Sequence, residues 1–124
     1  MKYLASAVTA TAMLLSLPAQ AQRDVVLQAR TAGELTELCA ANPKDPERSA
    51  KINFCHGFAQ GAITVEQRRT EGKKLFCFPS PVPTRTATMG AFVTWVRASP
   101  ERRTQPAIEG LFQFLSDSYP CKLT

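Results

Sequence analysis

The chain has 124 residues and a formal net charge of +5, and 20% of its residues are charged. Its basic residues are dispersed among acidic and polar ones, whereas a nucleic-acid interface needs a concentrated basic stripe with interleaved aromatic residues. The composition therefore argues against nucleic acid as a partner. The length suits one domain with a single hydrophobic core.

The first 21 residues have the three parts of a secretory signal peptide. Lys2 supplies the positive charge, about a dozen apolar and small residues follow, and Ala19-Gln20-Ala21 forms a cleavage site. An uncleaved membrane anchor is the alternative, but a bilayer span requires about 20 apolar residues. We expect cleavage after Ala21, which removes Lys2 and leaves a single mature domain, residues 22–124, in the periplasm and free of the membrane.

All four cysteines lie in this mature part, at Cys39, Cys55, Cys77 and Cys121. An even number in a small exported chain predicts two disulfides, because the periplasm oxidises thiols. Three pairings are possible. We favour Cys55–Cys77 nested within Cys39–Cys121, because the second bond would tie the first helix to the C-terminus.

The first helix is predicted by a capping box, in which the Thr31 hydroxyl accepts from the backbone N–H of Glu34 and the Glu34 carboxylate reaches back to Thr31. We expect this helix to end near residue 40. A turn follows, in which Asp45 can cap a second helix and Pro46 suits its first position. Apolar residues at helical spacing carry that helix to about Thr70, with residue 65 or 66 facing inward.

Two glycines, Gly57 and Gly61, lie four residues apart on the second helix. Each costs about 1 kcal/mol relative to alanine in a helix interior. We therefore expect another backbone to approach closely at this face.

Three prolines in 79–83 exclude a helix and disfavour a central strand, so residues 73–83 are predicted to be extended. A third helix begins near Thr84 or Thr86, and Trp95 lies at the margin of its inner face. Residues 99–102 interrupt the helix, and Thr104 is predicted to cap a fourth one. The expected fold is all-α, a small disulfide-bonded bundle of about four helices.

The single histidine, His56, stands beside Cys55 and raises the question of a Cys-His dyad or a metal site. Adjacent helical residues point about 100° apart, so the two side chains do not face a common point. An oxidised cysteine is also neither a nucleophile nor a ligand. We therefore expect no catalytic residue, no metal and no cofactor, and interpret His56 as a structural or interface residue.

An exported domain without catalytic equipment is typically a binding protein. Aromatic residues and arginines often carry the interface energy, and they cluster at the end of the third helix and in the turn after it, at Trp95, Arg97, Arg102 and Arg103. The alternative is that Trp95 completes the core and the arginines are merely solvated.

The chain resembles the Rap/Tai family of type VI secretion immunity proteins over residues 31–121. The segments that carry the resemblance are TAGELTELC at 31–39, FCHGFAQG at 54–61, LFCFP at 75–79, VTWVRASPE at 93–101 and YPC at 119–121. They occur in order and place all four cysteines. Ser99 departs from the histidine that many members carry before Pro-Glu, so we add Ser99 and Glu101 to the candidate partner contacts.

The resemblance implies a non-enzymatic helical periplasmic protein, often a homodimer, that binds a peptidoglycan amidase delivered by neighbouring cells. A loop of the immunity protein would then occupy the substrate groove of the amidase. Two other classes fit the size and helicity: a periplasmic chaperone of the acid-stress type, and an accessory subunit of an envelope complex.

Overall fold

The computed structural model describes residues 27–122. Five helices follow one another along this part of the chain: α1 Ala32–Cys39, α2 Arg48–Arg68, α3 Arg85–Arg97, α4 Pro100–Thr104 and α5 Ala107–Ser118. The predicted all-α bundle with two disulfides is confirmed. The predicted signal peptide, residues 1–21, lies outside the described residues. Between residues 27 and 122, no helix is both long and apolar enough to cross a bilayer.

Helix α1 begins where its capping residue predicts. The Thr31 side chain accepts a hydrogen bond from the backbone N–H of Glu34 at 3.1 Å. The Glu34 carboxylate accepts from the backbone N–H of Arg30 at 2.7 Å and pairs with the Arg30 side chain. The first bond satisfies a donor that the first turn of a helix leaves free, whereas the Glu34 carboxylate reaches Arg30 rather than the Thr31 N–H that a capping box predicts.

The centre of the bundle is α1, which packs against all four other helices. Its Leu35 is fully buried, as are Phe92 and Val96 of α3 and Leu111 and Leu115 of α5. An antiparallel β-bridge between Thr31 and Pro106 joins the starts of α1 and α5. Helix α1 has only eight residues, yet it contacts every other helix of the described chain.

The close backbone approach predicted at Gly57 and Gly61 is wrong, because a Cβ added at either position would meet nothing within 4 Å. Two other glycines have this role. A Cβ at Gly33 would lie 2.9 Å from the Arg103 carbonyl oxygen, and one at Gly110 would lie 2.8 Å from Ala32 Cβ. The tight crossings involve α1 with α4 and α5, whereas the glycines of α2 face open space.

Helix α2 begins two residues later than predicted. Asp45 does cap this region, but its Oδ1 accepts from the N–H of Glu47 at 2.8 Å and closes a turn before the helix. Toward the C-terminal end of α2, the sequence did not decide whether Val65 or Glu66 faces inward. The carboxylate-bearing residue is the buried one, since Glu66 is 7% exposed and Val65 is 73% exposed.

The predicted break at 99–102 contains the one-turn helix α4, and Thr104 is its last residue. Thr104 therefore does not cap the next helix, because its hydroxyl donates back to the Glu101 carbonyl at 3.0 Å. Pro106 occupies the cap position of α5 instead.

The favoured disulfide pairing is wrong. The bonds are Cys39–Cys55, which spans 16 residues, and Cys77–Cys121, which spans 44. Cys39 ends α1 and Cys55 lies within α2, so the first bond closes the α1–α2 hairpin. The second joins the extended segment to the C-terminus, which lies beside it because the Cys77 N–H donates to the Tyr119 carbonyl at 2.8 Å.

Candidate partner-binding site

The six predicted partner contacts lie at the corner where α3 ends and α4 begins. Ser99 is the extended residue between the two helices, with φ −144° and ψ 124°, and Pro100 opens α4. Proline suits this position because the first turn of a helix needs no N–H there. We call residues 95–103 the α3–α4 corner.

Trp95 and Arg102 lock the corner together. The Arg102 guanidinium lies 4.0 Å above the centre of the Trp95 ring, and its Nη1 donates to the Trp95 carbonyl at 2.6 Å. The other side of the indole packs toward the core, 5.9 Å from the ring of Phe114. Cation–π stacking contributes about 0.5–1 kcal/mol where it is exposed. Trp95 therefore both completes the core and presents a face held by Arg102.

The turn residues satisfy each other as well. The Ser99 hydroxyl donates to the Glu101 carboxylate. That hydrogen bond, the backbone N–H of Glu101 and the nearby charge of Arg102 hold the pKa of Glu101 below its usual value. The carboxylate is therefore ionised at neutral pH and tied to the start of α4, where a helix dipole favours negative charge.

The remaining two arginines differ. Arg103 donates to the Glu37 carboxylate of α1 at 3.4 Å, and both side chains are about half exposed. Arg97 is exposed, and no carboxylate among residues 27–122 lies within ion-pair distance of it. Among the described residues, the corner is thus a set of paired side chains in which Arg97 has no carboxylate partner.

His56 and Cys55 do not form a reactive pair. Cys55 is fully buried in its bond to Cys39, and His56 is half-buried beside it. In the part of the chain that the structure describes, no three His, Cys, Asp or Glu side chains are grouped closely enough to hold a metal ion.

A second exposed surface lies around Cys77–Cys121. Lys73 and Lys74 line a shallow cleft beside this disulfide together with Lys122, which lies far from them in the sequence. Leu75 also lines this cleft and is 41% exposed. The sequence shows the lysine pair but gives no indication of Lys122 as its neighbour. This juxtaposition accompanies the second disulfide, whose pairing was predicted incorrectly.

The glutamate buried at the end of α2 organises the loop that carries this surface. Glu66 Oε1 accepts from Arg69 Nη2 at 2.8 Å and from the backbone N–H of Leu75 at 3.2 Å. Arg69 also donates to the Lys73 carbonyl, and Gly72 turns the chain with φ +78°. A left-handed conformation of this kind favours glycine.

The family model of Rap1a immunity proteins matches residues 31–121 of the chain. The chain belongs to this family. The match covers α1 to α5 and both disulfides, and it confirms the resemblance that the ordered motifs indicate. As a Rap1a family member, the protein is an immunity protein whose family implies a type VI effector as its binding partner. No curated protein and no solved structure matches the chain.

Proposed function

We propose that this Rap1a family member is a non-enzymatic periplasmic protein that binds a type VI-secreted peptidoglycan amidase and blocks its substrate groove. The family match over residues 31–121 carries the proposal. The oxidised cysteines support export, because none of the described cysteines is free and disulfides persist in oxidising compartments such as the periplasm.

The α3–α4 corner supports a role in the contact. Except for Arg97, its polar side chains are already paired within the protein, so binding would freeze few rotamers, and pre-organisation of this kind strengthens association. Trp95 and Arg102 form the aromatic and arginine combination that is common at binding hot spots. Arg97 supplies a charge beside them that no carboxylate of residues 27–122 pairs with. Occlusion by such a surface requires no reaction by the immunity protein itself.

The test is survival of cells that export a candidate amidase to the periplasm, with and without this protein. A panel of type VI peptidoglycan amidases, each fused to a secretory leader, is expressed alone and together with the wild-type chain. Rescue from lysis by at least one amidase pairing is the expected result. Lysis that is unaffected across the panel would refute the proposal.

A His56→Ala variant tests the non-enzymatic part of the proposal. The variant removes the only histidine and leaves both disulfides intact. Full protection is expected, because occlusion depends on surface contact. Loss of protection by a folded variant that still binds the amidase would indicate catalysis instead.

Arg97→Glu tests the corner, and Arg85→Glu is its matched control. Both arginines are exposed on α3, twelve residues and about 18 Å apart along the helix axis. We expect Arg97→Glu to weaken binding of the protecting amidase about tenfold or more, the scale of a hot spot, and Arg85→Glu to bind normally. If calorimetry gives the two variants equal affinities for the amidase, the contact lies elsewhere. Light scattering of the same mixtures gives the stoichiometry of the complex and shows whether the immunity protein forms a homodimer.

A further inference from the structure

The two disulfides differ in how easily a thiol can reach them. Cys55 is fully buried in the core, and its partner Cys39 is half-buried at the end of α1. Cys77 is exposed, and Cys121 is half-buried near the chain end. Thiol–disulfide exchange proceeds by direct attack on a sulfur, so its rate depends on access. The outer bond thus includes an exposed cysteine, whereas the inner bond pairs a half-buried cysteine with a fully buried one. We therefore expect a reagent thiol to reach the outer bond in the folded protein and the inner bond only after the helices move apart.

Cys77 lines three shallow clefts, of which two also include residues next to Cys121. The first of these two has aromatic and proline walls. The second includes Cys121, and its walls carry Lys73, Lys74 and Lys122. None of these three lysines has a carboxylate of the described residues 27–122 within ion-pair distance. Neighbouring cations favour the thiolate form of cysteine, which is both the attacking and the leaving species in exchange.

The fold around this bond does not depend on it alone. Phe76, next to Cys77, is 3% exposed and packs against Phe78 and Phe112 with ring centres 5.3 and 6.2 Å away. The Cys77 N–H also donates to the Tyr119 carbonyl at 2.8 Å. These contacts keep the extended segment beside the C-terminus when the sulfurs separate. The two thiols therefore stay within reach of each other, and the bond can form again.

We propose that Cys77–Cys121 is a thiol–disulfide exchange site that accepts electrons from a dithiol. A thiolate of the dithiol attacks Cys77 Sγ and forms a mixed disulfide, while the bond to Cys121 breaks and Cys121 leaves as a thiolate. Cys121 then takes up a proton, and its Sγ lies 3.8 Å from the Lys74 carbonyl, to which the thiol can donate.

The second thiol of the reagent completes the step. After losing its proton it attacks the reagent's own sulfur in the mixed disulfide, and Cys77 leaves as a thiolate that is protonated in turn. The dithiol becomes a disulfide, and two electrons and two protons pass to the protein. The link between the extended segment and the C-terminus thereby responds to the surrounding thiols, while Cys39–Cys55 keeps the α1–α2 hairpin closed.

The experiment uses the mature oxidised protein and dithiothreitol as the probe. Samples are quenched with acid at intervals and alkylated, and peptide mass spectrometry reports the label on each cysteine. We expect Cys77 and Cys121 to be labelled at least about tenfold faster than Cys39 and Cys55, because the inner bond needs local unfolding first. Near-UV circular dichroism of the half-reduced protein should stay native. Simultaneous labelling of all four cysteines, or earlier labelling of Cys39 and Cys55, would overturn the proposal.

Charge variants test the role of the cleft. Lys74→Gln with Lys122→Gln removes two cations, and Arg48→Gln removes one from the far end of α2 as the matched control. We expect the double variant to be reduced about threefold more slowly, and the control to react like wild type. Equal rates in all three proteins would remove the lysines from the mechanism and overturn the assignment of this cleft as the site.

A thioredoxin-type protein at matched dithiol concentration distinguishes the source of the electrons. Reduction by this protein at a rate that also falls in the double lysine variant supports a protein dithiol as the natural partner. Reduction by dithiothreitol alone supports a small dithiol as the partner, because the clefts then admit only a small reagent.

Discussion

Cys39–Cys55 joins two helices inside the core, whereas Cys77–Cys121 joins an extended segment to the chain end at the surface. The inner bond belongs to a region in which α1 is enclosed by four helices and its contacts are mostly apolar. The outer bond belongs to a region held by individual contacts: the Glu66 carboxylate, the Phe76 ring and one backbone hydrogen bond to Tyr119. The inner bond therefore reinforces a crossing of helices, whereas the outer bond reinforces a smaller set of individual contacts at the surface.

The largest expected effect comes from replacing each disulfide with a serine pair. Loop entropy alone predicts losses of about 3 kcal/mol for the 16-residue span and about 4 kcal/mol for the 44-residue span. Cys39→Ser with Cys55→Ser also buries a hydroxyl, which adds about 1–2 kcal/mol. The exposed pair, Cys77→Ser with Cys121→Ser, carries no such addition.

The alanine pair at each disulfide is the matched control, with free energies of unfolding measured in urea. Serine should be worse than alanine by about 1–2 kcal/mol at the inner pair and equal to alanine at the outer pair. An equal serine penalty at both positions would show that the two environments do not differ as described.

Three glycine-to-alanine changes sharpen the comparison at a smaller scale. Gly110→Ala places a methyl 2.8 Å from Ala32 Cβ in the enclosed region, and we expect a net loss of about 1–2 kcal/mol from overpacking. Gly72→Ala strains a left-handed residue in the outer loop and should cost about 1 kcal/mol.

Gly57→Ala is the control, because its methyl meets nothing within 4 Å. It should stabilise the protein by about 0.5–1 kcal/mol through helix propensity. Urea midpoints that rise from Gly110→Ala through Gly72→Ala to Gly57→Ala, with an unchanged dependence of unfolding free energy on urea, would confirm the packing. A stabilising Gly110→Ala would contradict the tight crossing of α1 and α5.

The smallest effect is a dependence on pH in the turn that the inner disulfide encloses. Lys51 Nζ donates to Asp45 Oδ2 at 2.6 Å, and this bond, followed by the Glu47 N–H, holds the pKa of Asp45 below 3.8. Because the pKa is lower in the folded protein, the pair stabilises above the unfolded pKa and loses that contribution as pH falls through the folded one. Asp45→Asn should therefore be less stable at pH 7 and lose stability less steeply below pH 4.

Urea midpoints from pH 7 to pH 2 measure this dependence, with Asp117→Asn as the control. Asp117 is exposed on α5, and within residues 27–122 no cation lies within ion-pair distance of it. Parallel pH profiles for wild type and Asp45→Asn would mean that the Lys51 pair contributes nothing in solution.

Local features of the fold could be predicted because neighbouring residues create them. Thr31 caps α1 as expected, and Thr84, one of the two predicted starts of α3, caps that helix, since a side chain that bonds to a backbone N–H three residues on needs no distant partner. Trp95 at the margin of the core also follows from helical spacing. The short helix α4 was missed because its five residues are too few to show a periodic pattern.

The sequence was enough to locate the candidate site, but it did not show which side chain each residue of the site contacts. Residues 95–103 are contiguous, so any fold brings them together. Only the structure shows that Arg102 stacks on Trp95 and that Arg103 reaches Glu37, while Arg97 has no carboxylate partner among residues 27–122. The partner of each arginine depends on the angle between α3 and α4 and on the position of α1. Glu37 of α1, for example, is 66 residues away from Arg103 in the sequence.

By itself the sequence determined the helical class, the oxidation of four cysteines and the family, because composition, local caps and ordered motifs express these properties directly. The pairing of the cysteines, the glycines that allow close approach and the lysines that surround Cys77–Cys121 were decided by the tertiary structure. Each of these depends on how helices distant in sequence cross, and a crossing is selected by the packing of the whole core.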